Sequence, residues 1–198
     1  FLRAGTTGLV AQAYGAGDDR AVAATLYRAV ILALGIGVVL LLLERPIIMA
    51  AQALIGGSDA VKAATHEYWR IRVLSAPLAL MNFAILGWLI GTGRSGYGLL
   101  LQVVLNGVNI ALSLLFVHEL GLGVAGVGWA SVAAETATAL AGAGLAYGLR
   151  PAGTRLAMVD VLDGTAFRRM VTVNRDIMIR TFTLVLAFAV FTARSAKA

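Results

Sequence analysis

Long apolar runs separated by short polar punctuation dominate this chain. Ala21 to Leu43 is largely apolar apart from Arg28, and Glu44-Arg45-Pro46 closes the run. Proline lacks an N–H and disfavours helix in the residue before it. Arg28 sits near one end, where a long side chain can snorkel to water. Val73 to Ile90 is a second run and contains Pro77 and Asn82. A kink there is tolerated where neighbouring helices satisfy the freed carbonyl. Tyr97 to Val117 is the third run, stopped by His118-Glu119, and Leu120 to Leu149 is the fourth, rich in Gly and Ala with Glu135 inside. Asp176 to Ala193 begins a fifth, with Arg180 near its start. Each full run approaches or exceeds the roughly 20 apolar residues that cross a bilayer as a helix. Phe1 to Ala16 is shorter and reads as the tail of a span that begins upstream.

The segments between runs have their own pattern. Pro46 to Ile55 predicts a short amphipathic or interfacial helix, and Gly56-Gly57-Ser58-Asp59 a turn and helix cap. His66-Glu67-Tyr68-Trp69-Arg70 sets an aromatic pair among charges, as at a membrane–water boundary. From Arg150 to Arg175, the residues Leu156, Val159, Leu162, Phe167 and Met170 recur at roughly helical spacing among charges. This predicts an amphipathic helix lying on the membrane surface. Gly87 with Gly91, and Gly144 with Gly148, are small-xxx-small pairs of the kind that let helices approach closely.

Composition identifies the solvent. Charged residues make up 13% of the chain and hydrophobic ones 60%, whereas a soluble domain carries about 25% charged residues. Lipid is therefore the expected surroundings, and the fold class is an all-α polytopic transmembrane bundle. The absence of cysteine excludes disulfides, thiolate metal sites and thiol nucleophiles. Net charge is +6, but the basic residues lie between apolar runs instead of on one soluble face, which argues against nucleic acid as a partner. Loop charge orients the chain instead. The loops near Arg20, near Arg94 and from Arg150 to Arg175 fall on one side and are the more basic, so they are assigned to the cytoplasm. Arg45 and Lys62, offset by Glu44 and Asp59, fall on the other. Arg70, Arg72, Arg194 and Lys197 run against this assignment. With neither an initiator methionine nor a signal-peptide pattern, the chain reads as an internal segment of a longer protein.

Polar residues inside spans are the functional clue, since they are costly in hydrocarbon and face the bundle interior. Gln102, Asn106, Asn109 and Ser113 step by four, three and four, which places them on one helix face. They can coordinate a cation, hydrogen-bond a polar substrate, or bond neighbouring helices together. Asn82 is a further amide candidate in the second span. Glu135, beside Thr136 and Thr138, reads as a carboxyl bonded to a neighbour more readily than as a proton or cation site. Asp176 can pair with Arg180 one turn later, as an anchor or gate. Pro77 is a candidate hinge. No nucleophile elbow, Walker loop, dinucleotide fingerprint or metal-ligand spacing is present, so no enzyme activity and no cofactor are expected.

Several stretches resemble the multidrug and toxic compound extrusion (MATE) family. FLRAGTTGLVAQAYGAGD is similar to the end of its second helix, and IRVLSAPLALMNFAILGWLIG to its fourth. LLLQVVLNGVNIALSLLFV and GVAGVGWASVAAE are similar to its fifth and sixth. NRDIMIRTFTL is similar to the start of helix seven in the DNA-damage-inducible (DinF-like) branch. The resemblance implies twelve helices in two lobes and export of drugs or other amphipathic or cationic compounds in exchange for protons or sodium ions. It implies an inner-membrane protein, monomeric at full length. Residues 1–149 would then belong to the N-lobe, 150–175 to a cytoplasmic inter-lobe link, and 176–198 to the first C-lobe helix. The family's N-lobe cation site uses a helix-one aspartate, an asparagine and an aspartate four apart on helix five, and in some members a helix-six hydroxyl. Asn109 matches the asparagine and Ser131 the hydroxyl, while Ser113 stands in the aspartate's place. The missing carboxylate favours a proton over sodium as coupling ion. The other readings are a lipid-linked precursor flippase, which shares the two-lobe plan, and a non-transporting membrane subunit.

Overall fold

The structure, a computed structural model, describes residues 1–55, 58–150 and 157–195. Gly56, Gly57, Leu156 and Lys197 lie outside them, as does the Arg194 side chain. The helices are α1 (Leu2–Gly15), α2 (Asp19–Leu42), α3 (Glu44–Ile55), α4 (Asp59–Arg72), α5 (Ala76–Gly91), α6 (Ser95–Leu114), α7 (Gly123–Leu149), α8 (Met158–Val161) and α9 (Gly164–Ser195). Among the described residues, four helical stretches are long and apolar enough to cross a membrane: Asp19–Leu42, Asp59–Gly91, Ser95–Glu119 and Gly123–Leu149.

Local chemistry sets the boundaries. Asp18 caps α2 by accepting the Ala21 N–H at 2.8 Å. Pro46 does not follow a helix end but sits in the first turn of α3, where a missing N–H costs nothing. Beyond Leu114 the helix widens into a π turn over Leu115–Glu119, and Gly121 and Gly123 (φ +64° and +54°) reverse the chain into α7. The fourth run thus becomes helical at Gly123 and not at Leu120.

α4 and α5 are one continuous rod. A 3₁₀ turn over Val73–Ser75 joins them and places Pro77 in the first turn of α5. Pro77 cannot donate to the Val73 carbonyl four residues back, and the Ala76 N–H takes that acceptor instead. The strain expected at Pro77 is therefore relieved within its own helix, not by a neighbour.

α5 is the central post, packed against α1, α2 and α7. One core cluster joins Val10, Val22, Leu26, Ile85, Trp88, Leu89 and Ala146, and a second joins Leu2, Ala29, Ala33, Ala84 and Met170. Gly87 and Gly91 lie where α1 crosses α5: a Cβ on either would come within 2.6 Å of the Arg3 carbonyl or 2.7 Å of Val10. Gly144 and Gly148 have nothing within 4 Å of a notional Cβ, so that pair makes no close crossing among the described residues. α6 packs mainly on α7, and none of its membrane-length window is buried.

The stretch read as one amphipathic surface helix is two elements. α8 is a single turn with Met158, Val159 and Leu162 exposed and Val161 buried. α9 then runs unbroken across residues 175 and 176, with Met170 buried against α1 and α2. Met170 thus serves the bundle core and not a lipid surface.

The loops assigned to one side by charge do meet at one end of the bundle. Arg94 donates to the Leu149 carbonyl at 2.6 Å, Arg20 pairs with Asp160 at 2.6 Å, and Arg169 donates to Gln12 Oε1 at 2.9 Å. At the opposite end Trp69 donates to the Glu44 carbonyl at 3.3 Å and Gln52 to the Lys62 carbonyl at 3.0 Å. Arg28 does not snorkel to water. It is buried, and its guanidinium donates to the carbonyls of Asp160 and Val161 (3.1 Å to the latter).

Asp160 also accepts the Ala157 N–H at 2.9 Å. That backbone bond first, and Arg20 second, hold its carboxyl below the ordinary value of 3.8. A depressed folded-state value means the contact is in place above 3.8 and is lost as pH falls through the lower value. At neutral pH, Asp160→Asn is expected to speed hydrogen exchange in α8, matching wild type in strong acid after correction for intrinsic rates. Unchanged exchange in Asp160→Asn would show that Arg28 alone holds α8.

Candidate functional site

A belt of polar side chains crosses α5, α7 and α6. Glu135 lies near the middle of α7, about 18 Å from its start and 21 Å from its end at 1.5 Å per residue. It is 9% exposed. Asn82 of α5 donates to Glu135 Oε2 at 2.7 Å and to the Glu135 carbonyl at 3.1 Å. Arg72, the last residue of α4, donates to Glu135 Oε1 at 3.3 Å. Arg72 also donates to Ser75 Oγ, which in turn donates to the Arg72 carbonyl at 3.0 Å. Ser75 and Glu135 are buried, and Asn82 is half-buried. A carboxylate in hydrocarbon needs both a counter-charge and hydrogen bonds, and Arg72 with Asn82 supplies them.

One turn before Glu135, Ser131 continues the belt to α6. Asn109 donates to Ser131 Oγ at 2.9 Å, and Ser131 donates back along its helix to the Val127 carbonyl at 3.1 Å. The amide thus bonds the neighbouring helix, and its own oxygen remains a further acceptor. The other members of the α6 face are not drawn in. Asn106 is exposed and donates to the Gln102 carbonyl of its own helix at 2.9 Å. Gln102 and Ser113 are half-buried on that face.

The remaining candidates lie elsewhere. Asp176 does not bond Arg180. It pairs with adjacent Arg175 at 2.9 Å, both side chains being about 60% exposed, and Arg180 is exposed too. Arg175 reaches the Asp176 carboxylate with two N–H groups, Nε at 3.1 Å and Nη2 at 2.9 Å, and this fork takes the place expected for Arg180. Pro77 packs against Gly37 of α2. Two members of the belt, Arg72 and Ser75, are not apparent as site residues in the sequence. Arg72 looks like a loop charge there, and its position three residues before a serine and five before a proline is the only local hint.

The family model described as MatE matches residues 1–115, more than half the chain. The chain belongs to the MATE family of transporters. It is 41% identical to DNA damage-inducible protein F of Escherichia coli (strain K12) over all 198 residues, which is 43% of that protein. It is 33% identical over 147 residues to the probable multidrug resistance protein NorM of Caulobacter vibrioides (strain ATCC 19089 / CIP 103742 / CB 15), covering 71% of this chain and 31% of that protein. The chain therefore spans less than half the length of these curated relatives. Among solved structures it matches an inward-facing multidrug resistance MATE family transporter of the MOP superfamily, with a TM-score of 0.69 and 28% identity. That match covers 81% of this chain and 35% of the other. The all-α membrane bundle is thus a MATE fold, and the polar belt belongs to a transporter family and not to an enzyme family.

Proposed function

We propose that this MATE chain is the N-lobe portion of an exporter in the inner membrane. The exporter exchanges drugs or other amphipathic or cationic compounds for protons, with sodium as the alternative coupling ion. The observation that carries this reading is the Asn109–Ser131 hydrogen bond of 2.9 Å on the least buried of the membrane-length helices. The amide nitrogen is committed to Ser131, and the amide oxygen is the acceptor for a protonated carboxyl arriving from a helix outside this chain. Ser113 stands where the family resemblance implies a second carboxylate, which leaves the site less negative and better suited to one proton than to a sodium ion. Arg72, Asn82 and Glu135 form a charge-balanced brace that holds α7, and with it Ser131, against α5. Protonation biases the lobes between outward- and inward-open states through its different affinity for each.

The test is drug susceptibility of cells carrying the full-length gene. Wild type should raise resistance to lipophilic cations. Asn109→Ala should abolish that gain at equal protein level, while Asn106→Ala, which removes only a bond within its own helix, should retain it. Full resistance in Asn109→Ala would contradict the assignment of this site.

A further inference from the structure

Two adjoining cavities open at the end of the bundle that carries Arg20, Arg94 and Arg150. The inner one, about 200 Å³, is a narrow apolar cleft between α2, α5 and α7, walled by Val30, Met81, Ile85, Trp88 and Ala143 among others. The outer one, about 390 Å³, lies between α2 and the α8 turn, with Ile31 and Met158 in its walls. Ala23, Tyr27 and Arg150 line both, so the two cavities meet at a shared rim. Met81 to Trp88 spans about 10 Å of helix, which gives the cleft the depth of a stretch of hydrocarbon chain.

The mouth is cationic and aromatic. The Arg150 guanidinium lies over the Tyr147 ring at 3.9 Å from its centroid, which holds the cation in place. Arg94 stands nearby, over Trp88 at 5.8 Å and donating to the Leu149 carbonyl. Tyr27 places a phenol on the opposite wall. No carboxylate lines either cavity among the described residues. The carboxylate next in sequence to Val161, Asp160, is engaged by Arg20. An exported organic cation is repelled by this mouth, and free phosphate gains nothing from the apolar cleft.

We propose that this space is a binding site for an anionic phospholipid of the leaflet at that end, with the phosphate on Arg150 and one acyl chain between α2, α5 and α7. Tyrosine and arginine at the headgroup level and apolar walls below match the two halves of such a molecule. The site is separate from the Asn109–Ser131 pair and rests only on the membrane reading, so its failure leaves the transport assignment standing.

The experiment is native mass spectrometry of the purified full-length protein titrated with phosphatidylglycerol or phosphatidylcholine. Phosphatidylglycerol should remain bound in preference, and Arg150→Gln should reduce its retention about fivefold, the weight of one arginine against an anionic headgroup. Ala143→Leu, which narrows the cleft and keeps the mouth, should weaken both lipids together. Folding of each variant is checked by its melting temperature. Equal retention of the two lipids overturns the proposal, as does unchanged retention in Arg150→Gln. So does complete absence of lipid from wild type, the result if another helix of the full-length protein fills the cleft. Displacement by millimolar inorganic phosphate would mean an anion site without an acyl chain and would likewise overturn it.

Discussion

Glu135→Ala in the full-length protein is expected to lower stability by about 3 kcal/mol, the low end for breaking a buried ion pair because Arg72 keeps 32% of its side chain exposed. The loss comes mainly from what remains behind. Arg72 keeps its charge with only Ser75 to receive it, and the Asn82 amide loses its acceptor at 2.7 Å. Two consequences separate this account from simple loss of packing. Glu135→Gln, which keeps the acceptor for Asn82 and removes the counter-charge, should fall between wild type and Glu135→Ala. Arg72→Leu combined with Glu135→Leu should recover most of the loss, since an apolar pair leaves no charge stranded. Thermal unfolding in detergent reads all of these. A double variant no better than Glu135→Ala would show that the cost lies in helix packing and not in electrostatics.

Gly37→Ala is expected to cost about 1–3 kcal/mol, the range for overpacking. A Cβ at position 37 would lie 2.3 Å from Pro77 Cα and 2.6 Å from Pro77 N. Both are backbone atoms in the first turn of α5, with no side-chain rotamer to move aside. The helices must separate, and the Ala29, Ala33 and Ala84 contacts of the second core cluster loosen with them. Gly35, two residues earlier on the same helix, has nothing among the described residues within 4 Å of a notional Cβ. Gly35→Ala should therefore be neutral or slightly stabilising, because alanine is the better helix former. Equal melting temperatures for the two variants would contradict the close crossing of α2 over Pro77.

What could be read from the sequence follows from what is local. The apolar runs mark the membrane helices because lipid demands apolar length, and loop charge groups Arg20, Arg94 and Arg150 at one end, where their contacts are found. Spacing places Asn109 on a polar helix face, yet spacing cannot say which of four polar residues has a neighbour. Ser131 takes Asn109, and Asn106 stays exposed. The glycine pairs fail in the same way: Gly87 and Gly91 meet α1, while Gly144 and Gly148 meet nothing among the described residues. Arg72 is hidden for a different reason. Polar residues before Val73 suggest that the span starts there, but the helix runs from Asp59 to Gly91 through a 3₁₀ turn. Its last polar turn therefore stays in line with the span, and Arg72 reaches a carboxylate 63 residues away in sequence.

The central claim is proton-driven export through a lobe whose ion site includes Asn109. Its most direct test is uptake of a fluorescent lipophilic cation into liposomes holding the full-length protein, with an acidic interior and no sodium present. The pH gradient alone should drive accumulation, and Asn109→Ala should slow it by about tenfold or more, the weight of a hydrogen bond to a titrating group. Accumulation that requires a sodium gradient, or that proceeds at the wild-type rate in Asn109→Ala, would contradict the account.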